Sequence, residues 1–314
     1  MAGIGLLLNP RAKRTAKDPE LSYRLKRVLG DAGIARTPRS FAELGEVVTD
    51  FKRLGIELVA VAGGDGTNHI TLSGLVSAYG KSQLPLFAML RGGTMNTVAN
   101  SFGIPRQRPD KLLARYVRAY QRRALTPLRF VEPNALKVGN HYGFIFGTGA
   151  IYGFIAEYSR RQDRSQAWAA QVLGRAIASS LVGGESIRRV GQRWQGQVRF
   201  DDGAAFPERD YLTVGASTCS QIGLGFKPFF RSGEHSDRFH ILGIHASAGQ
   251  LIRGMHNIWR GRTLGGHRTY ERLTDRAVLV PTHGTVPYTL DGDVYEHPGE
   301  LEVSAGPRFR ILIP

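Results

Sequence analysis

An α/β N-terminal domain built on a parallel sheet, followed by a mainly antiparallel β C-terminal domain, is the fold class this 314-residue sequence predicts. Three observations predict it. Short apolar runs alternate with helical stretches through the first third, the pattern of a parallel sheet covered by helices. Two of those runs end in glycine-rich loops that lead directly into a helix. Beyond residues 124–133 the pattern changes to short alternating runs separated by glycines and charged turns, as in antiparallel strands.

Residues 3–8 read as the first strand, ended by Asn9-Pro10. A helix is predicted over 21–33, an amphipathic segment over 41–54, and a buried strand rich in β-branched residues over 57–62. Gly63-Gly64-Asp65-Gly66-Thr67 follows, then a helix over 68–79. Residues 84–90 form another apolar strand, followed by Arg91-Gly92-Gly93-Thr94-Met95-Asn96-Thr97 and a helical stretch to residue 102. Residues 109–123 give a further helix, rich in basic side chains. The boundary is set between 128 and 129, with the last strand free to return to the first domain. Strands of the second domain are expected at 134–138, 142–146, 196–200, 211–216, 239–244, 277–280, 287–290, 301–305 and 309–313. Two helices interrupt them. Residues 165–181 put Trp168, Val172, Leu173, Ala176, Ile177 and Leu181 at helical spacing, which suits packing on the β domain or a lid near a substrate. Residues 249–261 carry Leu251, Ile252, Met255, Ile258 and Trp259, and core packing is expected there.

A glycine loop at the carboxyl end of a parallel strand lies where α/β sheets bind ligands. Gly63, Gly64 and Gly66 leave no side chain in the way of a phosphate, and the helix N-terminus behind them favours negative charge. Asp65 in such a loop suits a divalent metal or a catalytic hydrogen-bond network that accompanies the phosphate. For one loop alone, a tight strand–helix turn explains the glycines equally well. The second loop makes that reading less economical, because both loops can face one ligand from one sheet edge. Arg11, Lys13 and Arg14 after the first strand suit phosphate neutralisation. Near the end of the chain, Leu290-Asp291-Gly292-Asp293 would turn Asp291 and Asp293 to one face if extended. One carboxylate could then accept a proton while the other orients it. An Asp-Gly hairpin turn is the competing reading.

With these motifs the sequence resembles the diacylglycerol kinase catalytic-domain family, which includes bacterial lipid kinases, sphingosine kinases and ceramide kinases. The resemblance rests on residues 6–10, 63–67, 91–97 and 290–293, in the family's order. It implies a nucleotide domain of the NAD-kinase/diacylglycerol-kinase-like type, a β domain for a lipid substrate, and an active site in the interdomain cleft. It implies ATP as donor, Mg2+, and a lipid hydroxyl as acceptor, on diacylglycerol or a sphingolipid such as ceramide or sphingosine. By position, Asn9, Gly63, Gly64, Asp65, Gly66 and Thr67 would hold the phosphates and ribose. Gly93, Thr94 and Asn96 would line the nucleotide side. Asp291 would be the general base, with Asp65 and Asp293 assisting and Asp65 serving the metal. Asp237 matches an acidic position that binds a structural magnesium in some bacterial relatives. Two departures read as tuning: Thr97 stands where the family often has Asp, and Asp293 where it usually has Glu. Two rivals remain: a soluble NAD kinase-like enzyme, which shares Gly-Gly-Asp-Gly, and a non-catalytic membrane-binding relative.

Composition bounds the partners. Net charge is +16, from 42 Lys+Arg against 26 Asp+Glu, which favours an anionic partner. Basic clusters at 115–123, 160–164 and 188–193 suit an anionic membrane surface, where each basic residue contributes roughly 1 kcal/mol. No zinc-finger spacing or RNA-binding aromatic signature accompanies them, so no specific nucleic acid is expected. The nine histidines form no H-E-x-x-H pattern. The single cysteine, Cys219, excludes an intramolecular disulfide and fits a buried residue in a reducing compartment. The start of the chain lacks the basic flank of a signal peptide, and no stretch approaches the ~20 apolar residues of a membrane span. A cytoplasmic protein associated peripherally with the inner face of the membrane is the expectation. Oligomeric state is not legible, and a homodimer is compatible with all of this.

Overall fold

The computed structural model describes residues 3–81, 83–122, 128–160, 168–169, 171–172, 192–264 and 268–314. The chain divides into two units, Met1–Pro133 with Pro307–Pro314, and Asn134–Gly306. Elements are numbered in chain order.

The first unit holds a six-stranded sheet. Its strands are β1 (Ile4–Leu8), β2 (Gly33–Arg36), β3 (Leu58–Ala62), β4 (Leu86–Met89), β5 (Arg129–Val131) and β18 (Ile311–Ile313), in the order β2-β1-β3-β4-β18-β5. The pairs from β2 to β18 are parallel, and β5 joins β18 antiparallel. The unit therefore runs to Pro133 rather than to residue 128, because β5 pairs with the returning last strand. Every residue of β1 and β3 is buried, which is why both read as unbroken apolar runs.

The covering helices follow their apolar spacing. In α2 (Glu20–Leu29), Leu21, Leu25 and Leu29 are buried at four-residue intervals. In α3 (Phe41–Arg53), Ser40 caps the first turn by accepting from the Glu43 amide, and Leu44, Val48 and Phe51 face inward. The helix expected over 21–33 ends earlier. Gly30 takes φ +48 and stops α2, a short 3-10 turn follows, and residues 33–36 become β2. β2 is half-exposed and lacks an apolar run to announce it. The remaining helices of the unit are α1 (Lys13–Lys17), α4 (Asp65–Tyr79), α5 (Thr97–Ser101) and α6 (Pro109–Gln121). Tyr116 of α6 donates to the Leu312 carbonyl over 2.8 Å and ties that helix to β18.

The second unit contains two six-stranded antiparallel sheets. One comprises β6 (Asn134–Val138), β7 (His141–Gly143), β9 (Trp194–Arg199), β10 (Ala205–Tyr211), β14 (Arg276–Pro281) and β17 (Leu301–Arg308). The other comprises β8 (Ile145–Thr148), β11 (Thr213–Ser217), β12 (Phe239–Ile244), β13 (Thr269–Thr274), β15 (Thr285–Leu290) and β16 (Asp293–Pro298). Both contribute to one core: Val198, Leu279 and Val303 from the first meet Phe146, Ile241 and Tyr288 from the second. The strand expected at 142–146 is broken at Phe144, whose amide bonds to a side chain instead of a neighbouring strand. Strands β10, β13 and β16 carry too many exposed or half-exposed positions to stand out in the sequence.

Two helices with described bounds belong to this unit, α7 (Ala150–Ser159) and α8 (Ala248–Trp259). The first was not anticipated, because its ten residues are apolar nearly all round and show no helical period. Trp168 and Val172 are buried, whereas Leu173, Ala176, Ile177 and Leu181 lie outside the described residues. So do most of the basic clusters at 160–164 and 188–193. In α8 the expectation of core packing fails for Trp259, which is 58% exposed.

Candidate active site

In the first unit the strand order reverses between β1 and β3, and the loops that follow these strands flank the reversal. That is the position where open α/β sheets bind ligands. Asn9, directly after β1, bridges the two sides. Its side-chain amide donates to Thr67 Oγ1 over 2.8 Å, and its backbone N–H donates to the Ala62 carbonyl over 3.2 Å. Its Oδ1 accepts from the Arg11 amide at 2.9 Å.

The two glycine loops pack backbone on backbone. The Gly93 amide donates to the Gly63 carbonyl at 3.1 Å. A Cβ on Gly64 would lie 3.1 Å from the Gly93 Cα, and one on Gly92 would lie 2.9 Å from the Gly63 nitrogen. A Cβ on Gly93 would fall inside van der Waals contact of the Gly64 Cα, and one on Gly63 would collide with the Thr67 side chain. Gly64, Gly92 and Gly93 are therefore required first by the approach of one loop to the other, and Gly63 by the Thr67 side chain of its own loop.

The loops then differ. The first opens onto α4, fifteen residues long, whose N-cap is Gly64 and whose first turn receives no side-chain cap. Helix starts of this kind expose amide donors to an anion. Gly66 and Thr67 lie in that first turn, partly exposed. The second loop closes on itself. Asn96 adopts φ 47 and ψ 46, its Oδ1 accepts from the Gly93 amide at 3.2 Å, and its Nδ2 donates to the Gly93 carbonyl at 2.7 Å. Thr94 is partly exposed between them. Asp65 reaches from the first loop to the second: its Oδ2 accepts from the Thr97 amide at 2.8 Å and its Oδ1 from the Val98 amide at 3.3 Å. It thus caps α5 from outside that helix, where a negative charge is favoured. Thr97 enters this contact through its backbone N–H, which any residue but proline could supply.

Arg91 is a site residue whose part the sequence did not reveal. It lies at φ 55 and is 4% exposed. Its guanidinium donates to the Ile104 carbonyl at 3.0 Å and to Asn100 Oδ1 at 2.6 Å, which braces the second loop against the end of α5. Burial lowers its pKa, with Arg14 and Arg106 adding to the effect and Asp65 opposing it. Arg14 packs beside it, its amide donating to the Gly92 carbonyl at 3.1 Å. Asn68, in the first turns of α4, is buried with its Oδ1 unpartnered.

In the second unit, Asp291 and Gly292 join β15 to β16 with φ 50 and φ 91, and Leu290 pairs with Asp293. Left-handed conformations at both central residues define the tight hairpin turn that Asp-Gly favours. The extended segment that would set Asp291 and Asp293 on one face does not form. Asp293 instead begins β16, half-exposed. Asp291 is nonetheless not an ordinary turn residue. It is 6% exposed, and its Oδ1 accepts from the Phe144 and Ile145 amides at 3.0 and 2.9 Å. Its own amide donates back to the Ile145 carbonyl at 2.9 Å. Tyr295 nearby has its hydroxyl pKa pushed up, first by burial and then by Asp293 and Asp291.

Asp237 lies exposed in a turn before β12. Among the described residues no group of three or more His, Cys, Asp or Glu side chains could hold a metal ion.

The first three motifs fall within residues 4–126, which match the family model of the diacylglycerol kinase catalytic domain. Whole-chain likeness extends this to the fold. A proposed diacylglycerol kinase from Bacillus anthracis str. Sterne superposes with a TM-score of 0.72 at 14% identity, covering 99% of this chain and 96% of that one. A second structure from that organism, named a diacylglycerol kinase, gives 0.65 at 14% identity over 99% and 96%. A third, again a proposed diacylglycerol kinase, gives 0.67 at 15% identity over 99% and 97%. At these identities the likeness shows the fold. No curated protein sequence matches the chain significantly.

Proposed function

We propose that the protein is an ATP-dependent lipid kinase that transfers the γ-phosphoryl group to a hydroxyl of a lipid such as diacylglycerol, ceramide or sphingosine. The observation that carries this reading is the uncapped start of α4 behind a loop of glycines, at the reversal of the sheet and inside the matched domain. Amides of the first turn and the Gly63–Gly64 backbone would hold phosphate oxygens, and Arg14 would add charge beside them. Asn9 fixes Thr67 and so the shape of the cradle. Asp65 acts as a positioning residue, since its carboxylate holds α5 and with it the second loop.

The donor set fits magnesium only in part. With both Asp65 oxygens accepting from amides and no described metal cluster, the ion would ride mainly on nucleotide phosphates, as Mg2+ commonly does. Bound there, Mg2+ supplies charge neutralisation for the transferring group. Asp291 would take the proton of the lipid hydroxyl as its oxygen bonds to the γ-phosphorus and the bond to the β-phosphate bridge breaks, releasing ADP. Positioning and charge stabilisation are sufficient for such a transfer.

The test is transfer of labelled γ-phosphate from Mg-ATP to diacylglycerol, ceramide, sphingosine and monoacylglycerol in mixed micelles, with NAD in buffer as a parallel acceptor. A labelled lipid is the expected product. Labelled NADP would replace this reading with a NAD kinase-like one, and ATP binding without any product would point to a non-catalytic relative. Peripheral association with the inner face of an anionic membrane belongs to the same proposal; among the described residues no helix is long and apolar enough to cross a bilayer.

A further inference from the structure

Helix α8 has two unlike faces. Gly254 and Ile258, one turn apart, are buried, and Gly254 lies against Leu264, so this face is the seat of the helix. Beside it, about a quarter of the way round the helix, Ile252, Met255 and Trp259 follow the three- and four-residue spacing of one helical stripe. The first two are half-exposed, and Trp259 is the most exposed tryptophan, 58% open against buried Trp168 and Trp194. Arg253, Arg260 and Arg262 border the stripe and are all exposed. Residues 247–264 contain no Asp or Glu. Among the described residues none of these three arginines has an acidic partner.

An apolar stripe ending in an exposed tryptophan and edged by unpaired arginines is the composition of a helix that lies in a bilayer interface. Trp settles at the headgroup level, the aliphatic side chains reach the acyl boundary, and the guanidinium groups meet anionic headgroups. We propose that this face of α8 docks the protein on anionic lipid bilayers. Charge selects the occupant: the protein is +16 overall, and the stripe itself carries only positive charge. A nucleic acid would use the arginines and leave Ile252 and Met255 without purpose. A second copy of the same face would bring six arginines together, which disfavours self-pairing. The proposal rests on the peripheral association proposed above and names the face that makes it; it does not depend on the acceptor assignment.

The experiment is co-sedimentation of the full chain with large vesicles of phosphatidylcholine alone or mixed with phosphatidylglycerol, alongside tryptophan emission. Binding is expected only with the anionic mixture, with a blue shift that Trp259→Phe abolishes. Arg253→Ala with Arg260→Ala is expected to lower the partition coefficient about thirtyfold, from about 1 kcal/mol for each arginine. Phosphoryl transfer to lipid in detergent micelles, and the melting temperature, should be unchanged in these variants. That separates failure of docking from failure of the kinase reading or of the fold. Vesicle binding that persists in the double variant, or absence of binding by the unaltered protein, would overturn the proposal. So would Trp259-dependent binding to duplex DNA or RNA in place of vesicles, or a dimer in light scattering that Trp259→Ala dissolves.

Discussion

Asp65 and Asp291 lie in different units and make the same kind of bond. Each carboxylate accepts from two successive backbone amides of a distant segment: Thr97 and Val98 for Asp65, Phe144 and Ile145 for Asp291. Their settings differ. Asp65 begins an uncapped fifteen-residue helix and holds the start of a five-residue one, in a half-exposed pair of loops at a sheet edge. Asp291 is buried in a left-handed turn and interrupts a strand, keeping β7 and β8 apart. The contrast teaches that an acid beside glycine, read from sequence as a reagent, first performs a structural task. Its surroundings decide what chemistry is left to it.

The largest expected effect separates these two tasks at Asp291. Asp291→Ala leaves two buried amides without an acceptor and should cost about 2–4 kcal/mol of stability. Asp291→Asn keeps an acceptor oxygen and tolerates the left-handed backbone. Its melting temperature should stay near that of the unaltered protein, while lipid phosphorylation falls at least about 100-fold. Equal turnover in Asp291→Asn and the unaltered protein would leave Asp291 with its structural task alone.

A pH scan sharpens the picture from inside the second unit. His240 is fully buried, and burial, aided by Arg231, lowers its pKa to about 4. Glu271 lies 3.5 Å from its Nε2, and burial raises the pKa of that carboxyl. Because the folded pKa of His240 lies below the unfolded value of 6.5, the unfolded chain binds more protons between them. The stability held above pH 6.5 is therefore lost as pH falls towards 4, by about 3 kcal/mol from this group. Urea titrations at pH 7 and pH 4 should show that loss. An undiminished loss in His240→Gln would assign it to other groups.

In the first unit, Gly93→Ala drives a methyl group into the Gly64 backbone and should cost about 1–3 kcal/mol. Gly45→Ala, in the middle of α3 with open space around it, should instead stabilise by about 0.5–1 kcal/mol. Paired thermal melts compare the two directly, and equal effects would refute the close packing of the loops. The smallest loss is expected at Asp65. Asp65→Ala removes the cap of α5 and should cost about 1 kcal/mol, with Asp65→Asn falling between the two. Full activity in Asp65→Ala would show that the second loop holds its shape without this bond.

Much of this architecture is legible in the sequence alone. The runs at β1 and β3 are apolar throughout because both faces of a parallel sheet are covered. The glycines at 63, 64, 92 and 93 mark strand–helix loops by their residue type alone. The two-domain class and many strand positions follow from period and punctuation, which are local properties. Strands β2, β5, β10 and β16 were not readable, since their mostly exposed or half-exposed residues form no apolar run and exist as strands only through a neighbour.

The partners of the key side chains were decided by tertiary structure. Asp65 meets an amide 32 residues away and Asp291 one 147 residues away, and backbone amides carry no signature in a sequence. The same holds for α8, whose apolar spacing predicted a buried face without telling that Trp259 would stay outside. By itself, the sequence determined the buried strands, the amphipathic helices and the glycine loops, because those depend on residues adjacent in the chain. Only the folded structure decided which acid holds which loop and which apolar face remains uncovered, because those depend on residues brought together from far apart.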